Sequence, residues 1–259
     1  MTHFAFEGCA IACTEDGAPD APPVLFSNSL TSDLSMWEPQ VAMLQSRFRI
    51  LRYDNSGHGA SESIGRDLSI EDLAGVALGV LDHYGVERAD FLGLSMGGMV
   101  GMHLAAHEPS RINRLVVANT GAYFPSKDPW NDRIRTVVEH GIAPIIDSIL
   151  ERWFTPAFAE AEPYAVEGAR KMMFRVDPEG YVGCVAAVRD VDLRADLARI
   201  ERPTLVIVGK ADPVTPPAMG EAIAGAVPGA KLVALDASHL SNMERGREFS
   251  EAVLDFLAA

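Results

Sequence analysis

Hydrophobic residues recur along this chain with two different spacings. Short apolar runs predict strands at residues 24–27, 47–53, 91–94, 115–118, 204–208 and 231–235. Longer stretches with apolar residues every three or four positions predict helices at residues 70–84, 96–107, 217–226 and 249–257. Strands that alternate with helices are typical of a mostly parallel, twisted sheet with helices on both faces, so the pattern predicts an α/β fold.

The alternation stops between residues 122 and 202. This stretch has no β-rich run, and its pattern predicts helices at residues 130–140, 145–153, 164–174 and 181–188. We therefore predict a helical lid at residues 122–202, inserted into an α/β core formed by residues 1–121 and 203–259. Such lids exclude water from a site and shape its pocket. Ordinary connecting helices are the alternative interpretation.

Composition limits the partners that this chain can have. With 259 residues, 48% of them hydrophobic, the chain can bury a core without disulfides or metal. The 22 Lys and Arg against 36 Asp and Glu give a net charge of −14. Because nucleic acids and anionic membranes bind basic patches, we expect neither as a partner. An anionic ligand would need its own arginine or lysine in the pocket.

The three cysteines, Cys9, Cys13 and Cys184, do not suit a secreted disulfide framework, which needs an even number. Cys9 and Cys13 lack the second Cys/His pair of a zinc site, so we predict buried thiols and no metal. The first 13 residues have no basic segment followed by an apolar run, and no stretch approaches the length of a membrane span. We expect a cytoplasmic protein with no membrane partner.

The strongest local signal is Gly-Leu-Ser-Met-Gly at residues 93–97, which fits the G-x-S-x-G pattern of a nucleophile elbow. A predicted strand ends directly before Ser95 and a predicted helix begins directly after it. A serine on such a sharp turn needs small neighbours, and helix N–H groups next to it stabilise negative charge. We therefore predict Ser95 as a nucleophile; a plain glycine-rich turn is the alternative.

A serine hydroxyl needs a base that is oriented by an acid. In this architecture the chain order is Ser, then Asp or Glu, then His. His239 follows the predicted strand at residues 231–235 and is the candidate base. His140 falls in the predicted lid, and His58 precedes the serine, so we predict a structural role for His58.

The acid is expected on the loop after the preceding strand. Asp212 follows the predicted strand at residues 204–208 and is the candidate, whereas Asp192 and Asp236 are less well placed. The alternatives are a capping or surface role for Asp212 and a surface position for the candidate base.

An oxyanion hole requires two backbone N–H groups. Met96 follows the nucleophile and would supply one, and Leu30, after the strand at residues 24–27, is our choice for the other. The glycine-rich loop at residues 54–59 has no phosphate-binding pattern, so no nucleotide is expected.

Several segments of the chain resemble the 3-oxoadipate enol-lactonases, a family with the α/β-hydrolase fold. They are residues 26–37, 93–99, 152–155, 180–190 and 239–244. Asn28-Ser29 stands where many other α/β-hydrolases have His-Gly, as in the lactonases. Residues 54–59 read Asp-Asn-Ser-Gly-His-Gly, whereas the family usually has Asp-Thr-Arg-Gly-His-Gly. This departure bears on the substrate if the family's arginine shapes the pocket entrance.

The resemblance implies an α/β-hydrolase fold and hydrolysis of 3-oxoadipate enol-lactone to 3-oxoadipate, a step of bacterial aromatic catabolism in the β-ketoadipate pathway. Ser95, His239 and Asp212 would act through an acyl-enzyme, with the oxyanion on the N–H groups of Leu30 and Met96. No metal or cofactor is implied.

The implied substrate is a small anionic lactone, whose acetate arm requires a cation. Arg133 is the first choice, because a guanidinium can bind a carboxylate in bidentate fashion, and Arg189 is the second. Trp130 and Trp153 are candidates to line the pocket. Solvated or structural arginines and core tryptophans are the alternatives.

Three other functions fit the same residues. A cofactor-free carboxylesterase or perhydrolase and a carbon–carbon bond hydrolase share the fold and the three catalytic side chains. A non-catalytic small-molecule binder on the same fold would not react with a fluorophosphonate probe at Ser95.

Overall fold

The computed structural model describes the whole chain, Met1–Ala259, and is built around one sheet of eight strands. In chain order the strands are β1 Thr2–Phe6, β2 Cys9–Asp16, β3 Pro23–Ser27, β4 Arg49–Tyr53, β5 Ala89–Leu94, β6 Ile112–Ala118, β7 Thr204–Gly209 and β8 Lys231–Leu235. They lie in the order β1-β2-β4-β3-β5-β6-β7-β8. Strand β2 is antiparallel to β1 and β4, and all other pairs are parallel, which confirms the predicted sheet.

Eleven α-helices accompany the sheet: α1 Glu38–Leu44, α2 Ile70–His83, α3 Met96–His107, α4 Asp128–His140, α5 Ala143–Trp153, α6 Pro156–Ala161, α7 Pro163–Met173, α8 Pro178–Asp190, α9 Pro217–Ala226, α10 Ser241–Glu244 and α11 Gly246–Leu257. Short 3-10 helices span Leu34–Trp37, Pro109–Arg111 and Leu197–Arg199. Helix α1 packs against α11 and α2 packs against α3, so helices cover the sheet in layers. None of the helices combines the length and the hydrophobicity needed to cross a bilayer.

The central strands are buried on both faces, which explains why they were visible in the sequence. All six residues of β5 and all six of β7 are buried, so each is a nearly continuous apolar run, in which Asp90 and Thr204 are the polar residues. The amino-terminal strands β1 and β2 were not predicted. Strand β1 forms the sheet edge and is mostly exposed, and β2 beside it is buried only at residues 11–13, so neither has the long buried run of the central strands.

Helices α4 to α8 form an insertion between β6 and β7, within the range predicted for the lid. The two ends of the insertion are joined, since Tyr123 and Asp192 form an isolated bridge and the Leu193 N–H donates to the Ala122 carbonyl at 2.8 Å. Helix α4 packs on α8, and α5 packs on α7.

Helix α8 also contacts the core directly. A Cβ atom placed on Gly180 would lie 2.4 Å from the Gly57 Cα, so the two backbones meet where neither residue has a side chain. The Gly57 carbonyl also accepts a hydrogen bond from Asp177 N at 2.8 Å. Of the three cysteines, Cys13 and Cys184 are buried, and Cys9, at the start of β2 next to the edge strand β1, is only half-buried.

Candidate active site

Ser95 lies on a sharp turn between β5 and α3. Its backbone has φ 56° and ψ −115°, a conformation that residues other than glycine rarely adopt. A Cβ atom on Gly93 would lie 2.1 Å from the Gly97 carbonyl oxygen, and one on Gly97 would lie 2.1 Å from the Ser27 carbonyl oxygen. The two glycines that define the motif are therefore required by close backbone approach on both sides of the serine.

The structure brings Ser95, His239 and Asp212 into one hydrogen-bonded chain. The Ser95 Oγ lies 3.0 Å from His239 Nε2, and His239 Nδ1 lies 2.8 Å from the Asp212 Oδ2. Ser95, His239 and Asp212 follow β5, β8 and β7. These strands are parallel, so their carboxyl ends lie at the same edge of the sheet. All three side chains are buried, so the imidazole can accept the serine proton away from bulk water.

The Asp212 carboxylate accepts five hydrogen bonds. Its Oδ1 accepts the N–H groups of Val214 at 2.8 Å and Thr215 at 3.0 Å. Its Oδ2 accepts bonds from His239, from the Thr215 hydroxyl at 2.7 Å and from Asn119 Nδ2 at 3.0 Å. Burial acts to raise the pKa of this carboxyl, but the neighbouring imidazole and the other donors lower it to about 2. The acid is thus held ionised.

Asn119 and Thr215 were not identified from the sequence. Asn119 follows β6 with φ 45°, and its Nδ2 also donates to the Ser238 carbonyl at 3.2 Å. Its position in the sequence could have identified it. Asn119 directly follows the predicted strand at residues 115–118, and that strand is the neighbour of the strand that precedes Asp212.

The loop after β3 is attached to the elbow. The Gly97 N–H donates to the Asn28 carbonyl at 3.0 Å. The Leu30 N–H has no acceptor within the protein, and Met96, as the first residue of α3, has an N–H without an intrahelical acceptor. These are the two donors chosen from the sequence for an oxyanion.

His58 supports this loop. Its Nε2 accepts the Thr31 N–H at 3.1 Å, while its Nδ1 donates to the Ser56 carbonyl at 2.9 Å. Burial lowers the pKa of His58, which favours the neutral ring that can both accept and donate. Ser56 stands where the family has arginine, and it is buried. Its hydroxyl accepts the Ile64 N–H at 2.8 Å, so its hydrogen bond stabilises the loop to which it belongs.

A small cavity opens over Ser95 beneath the lid; we call it the Ser95 cavity. Its lining residues are Ser29, Leu30, Thr31, Ser95, Trp130, Arg133, Ile149, Arg152, Trp153, Val214 and His239. The Arg133 guanidinium stacks 5.2 Å from the Trp130 ring centroid.

Of the two arginines proposed from the sequence, only Arg133 lines the Ser95 cavity. Arg189 is turned away from it, because its guanidinium is paired with Asp190 at 2.6 Å and also lies 3.4 Å from the Asn131 side chain. Arg152 takes a place in the cavity that was not foreseen, since nothing in its local sequence separates it from a surface arginine.

Glu244 clamps the lid to the loop that carries His239. The Glu244 Oε2 accepts the Ser238 N–H at 2.9 Å and the Thr155 N–H at 3.3 Å, and its Oε1 accepts the Thr155 hydroxyl. The Leu240 N–H also donates to the Trp153 carbonyl at 3.0 Å. Two lid residues at the cavity wall, at positions 152 and 153, are thus positioned by the same loop as the imidazole. No cluster of His, Cys, Asp and Glu is arranged to hold a metal ion.

The chain was compared with known proteins. Residues 24–252 match the alpha/beta hydrolase family. The 3-oxoadipate enol-lactonase 2 of Acinetobacter baylyi is 40% identical, over 92% of this chain and 89% of that protein. Enol-lactonase 1 of the same organism is 34% identical, over 97% of this chain and 94% of that protein.

A relative from Stutzerimonas stutzeri, which carries the name of a carbamate hydrolase, RutD, is 30% identical, over 93% of each chain. Among solved structures, the enol-lactonase from Burkholderia xenovorans LB400 superposes with a TM-score of 0.97 at 42% identity, covering 99% of this chain and 100% of that chain. The similarity therefore spans the core and the lid alike.

Proposed function

This chain belongs to the alpha/beta hydrolase family, as a serine hydrolase of carboxylic esters or lactones, and from that premise we propose that it hydrolyses 3-oxoadipate enol-lactone to 3-oxoadipate. The observation that carries the proposal is the hydrogen-bonded chain from Asp212 through His239 to Ser95, which ends in a cavity beneath the lid. The similarity to enol-lactonases over the full chain supports the choice of a lactone.

The first half of the reaction acylates the enzyme. His239 accepts the Ser95 proton while the serine oxygen attacks the lactone carbonyl, and Asp212 stabilises the resulting imidazolium. The N–H groups of Leu30 and Met96 hold the oxyanion, and a donor of this kind contributes about 3 kcal/mol in other hydrolases. The ring oxygen then leaves as an enolate and takes the proton from His239 to give an enol. The enol tautomerises to the ketone, the proton moving from oxygen to carbon, which removes the nucleophile that would close the ring again.

The second half releases the product. Water takes the place of the serine as nucleophile, and His239 accepts a proton from it. The acyl bond to Ser95 breaks, the serine recovers a proton from the imidazolium, and the new carboxylate leaves with the product. In this proposal no metal or cofactor takes part in either half.

The acetate arm of the lactone is bound by the lid. Arg133 is suited to this role, because its guanidinium lines the Ser95 cavity beside the Trp130 ring and is absent from the ion pairs of the chain. Trp130 and Trp153 line the same cavity and would enclose the ring of the lactone.

The test is to follow the loss of ultraviolet absorbance of freshly prepared 3-oxoadipate enol-lactone with the purified protein and with Ser95→Ala. We expect rapid turnover by the wild type and a loss of about 10⁴–10⁶-fold in kcat in the variant. Equal thermal stability of the two proteins shows that the variant is folded. Rapid cleavage of p-nitrophenyl acetate without lactone turnover would instead identify a general esterase.

A further inference from the structure

Two consecutive residues lie directly after β6, between the strands that carry the candidate nucleophile and the candidate acid. Strand β6 is flanked by β5 and β7, and the residues that follow it are Asn119 and Thr120. Both residues are buried, and neither lines the Ser95 cavity. Because they do not face the space for a substrate, any effect that they have on the reaction passes through other residues.

The Asn119 side chain connects the acid to the loop that carries the base. Its Nδ2 donates to the Asp212 Oδ2 at 3.0 Å and to the Ser238 carbonyl at 3.2 Å, and its Oδ1 accepts the Ser241 hydroxyl. Ser238 and Ser241 lie on either side of His239 in the chain. One amide therefore holds the acid and both flanks of the base in a single arrangement.

Apart from the imidazole, Asn119 is the only donor to Asp212 that comes from another part of the chain. The other three hydrogen bonds come from Val214 and Thr215, on the same loop as the acid. Those bonds fix the carboxylate to its own backbone, whereas Asn119 fixes it relative to the end of β6. The Asn119 donor also helps to hold the pKa of Asp212 at about 2, so it stabilises the ionised acid.

Thr120 supports the sharp turn of the nucleophile. Its hydroxyl donates to the Ser95 carbonyl at 2.7 Å, and the Ser95 N–H donates to the Ala118 carbonyl at 2.9 Å. The peptide groups on both sides of Ser95 are thus bonded to the last residue of β6 and to the residue two positions beyond it. Because a left-handed backbone costs free energy in a residue other than glycine, such a turn persists only where its surroundings hold it.

We propose that Asn119 and Thr120 are positioning residues for the reaction at Ser95: Asn119 fixes the direction in which Asp212 meets the imidazole, and Thr120 holds the serine on its turn. The inference rests on the proposed hydrolysis at Ser95 and adds the two residues through which β6 acts on it. Their partners differ, so their effects can be separated. The effect of Asn119 requires Asp212, whereas the effect of Thr120 does not.

The test measures how fast a fluorophosphonate probe labels Ser95, because this rate reports the activated serine whatever the natural substrate is. Asn119→Gly removes the amide and keeps the φ of 45°, which glycine adopts without strain. It should slow labelling by about 10–100-fold, as expected for the loss of a hydrogen bond to a charged group. In an Asp212→Ala background the same change should slow labelling by less than about threefold.

Asn119→Asp is a second variant of the same shape, in which a carboxylate faces the Asp212 Oδ2 in place of a donor. It should slow labelling at least as much as Asn119→Gly. The low-field proton resonance of the His239 Nδ1–H bonded to Asp212 gives a spectroscopic readout. It should shift in both Asn119 variants and stay unchanged in Thr120→Val.

Thr120→Val replaces the hydroxyl by a methyl group of similar size and should slow labelling about two- to tenfold, by the same factor with and without Asp212. Thr120→Ser keeps the hydroxyl and should label within about twofold of the wild type. Asn113→Ala is the control, since Asn113 is the second residue of β6, half-buried at the end far from Ser95. It should change neither the labelling nor the resonance.

Unchanged labelling in Asn119→Gly, or an equal loss with and without Asp212, would overturn the role of Asn119, and unchanged labelling in Thr120→Val would overturn that of Thr120. These outcomes are separable from that of the proposed function. Labelling that depends on both residues, without turnover of the enol-lactone, would remove the lactonase assignment and keep the positioning residues. Lactone turnover with labelling that neither residue affects would do the reverse.

Discussion

Asp212 is surrounded only by donors, and this decides what its replacement would do. Each carboxylate oxygen accepts at least two hydrogen bonds, from the imidazole of His239, the hydroxyl and N–H of Thr215, and two further N–H groups. An amide in its place must point its NH₂ group either at the imidazole or at the two backbone N–H groups. In both orientations two donors meet.

Asp212→Asn should therefore lower kcat by about 10³–10⁴-fold, since the imidazole loses the acceptor that fixes its tautomer. It should also change stability. The pKa of Asp212 is about 2, below its ordinary value, so the carboxylate contributes about 2–3 kcal/mol that is present above pH 4 and lost as pH falls from about 4 to 2. Urea unfolding of the wild type and the variant at pH 7 and pH 3 measures the stability difference and its dependence on pH. An equal loss of stability at the two pH values would contradict the argument.

Asp90 is the opposite case among the buried carboxyls. Asp90 is the second residue of β5. Burial raises its pKa to about 6, although the positive charges of Arg114 and Arg88 act to lower it. A raised pKa means that the folded state binds the proton more tightly than the unfolded state. This contribution to stability therefore falls as pH rises from about 4 to 6.

Asp90→Asn should raise the free energy of unfolding at pH 7 by about 1–3 kcal/mol and leave it little changed at pH 4. The amide oxygen can still accept the Arg114 N–H, which the carboxylate holds at 3.1 Å. Urea titrations of the wild type and the variant at the two pH values give the comparison. A less stable variant at pH 7 would mean that the two arginines outweigh burial.

At the scale of elements, the docking of α8 on the core depends on the absence of two side chains. Gly180 touches Gly57 on the loop that carries His58, and the next residue along α8 is Tyr181. A shift of this helix would thus displace the loop after β3 and also the two cavity arginines, Arg133 and Arg152. Close packing of this kind transmits small displacements, because the interior is too dense to absorb them.

Gly180→Ala should destabilise the protein by about 1–3 kcal/mol, because its Cβ would lie 2.4 Å from the Gly57 Cα. Gly168→Ala is the matched control. Gly168 lies within α7 with nothing near the site of a Cβ, so the same change should stabilise the protein by about 0.5–1 kcal/mol. Melting temperatures distinguish the two variants; a stabilised Gly180→Ala would refute the docking argument.

At the scale of the whole molecule, the sheet and the lid contribute different residues to the candidate site. The carboxyl ends of β5, β7 and β8 carry Ser95, Asp212 and His239, the proposed nucleophile, acid and base, while α4 and α5 supply the two cavity arginines. The surface around them is acidic, with a net charge of −14. An anionic substrate is thus repelled at long range and attracted only near the arginines.

Changing the salt concentration distinguishes the long-range repulsion from the short-range attraction. The Debye length falls from about 30 Å at 0.01 M to about 8 Å at 0.15 M, so moderate salt screens the acidic surface more than the contact within the cavity. We expect kcat/KM for the anionic enol-lactone to rise about two- to tenfold between these ionic strengths. The neutral ester p-nitrophenyl acetate should show little change under the same conditions. A fall for the lactone would indicate that the arginines dominate at all distances.

The sequence by itself determined the features that depend on local pattern. The central strands were predicted because they are buried on both faces, and Ser95, Asp212 and His239 were identified because each follows a predicted strand in a fixed chain order. The helical insertion between β6 and β7 was visible as a break in the alternation. These signals are contained within short windows of the chain.

Only the tertiary structure decided which distant residues meet. The hydrogen bonds from Asn119 to Asp212 and from Thr155 to Glu244 join residues 93 and 89 positions apart. The arginines that line the Ser95 cavity are Arg133 and Arg152, whereas the sequence had offered Arg133 and Arg189. The placement of the lid helices over the sheet decides this, because helical periodicity fixes the face of a helix but not the partner that covers it.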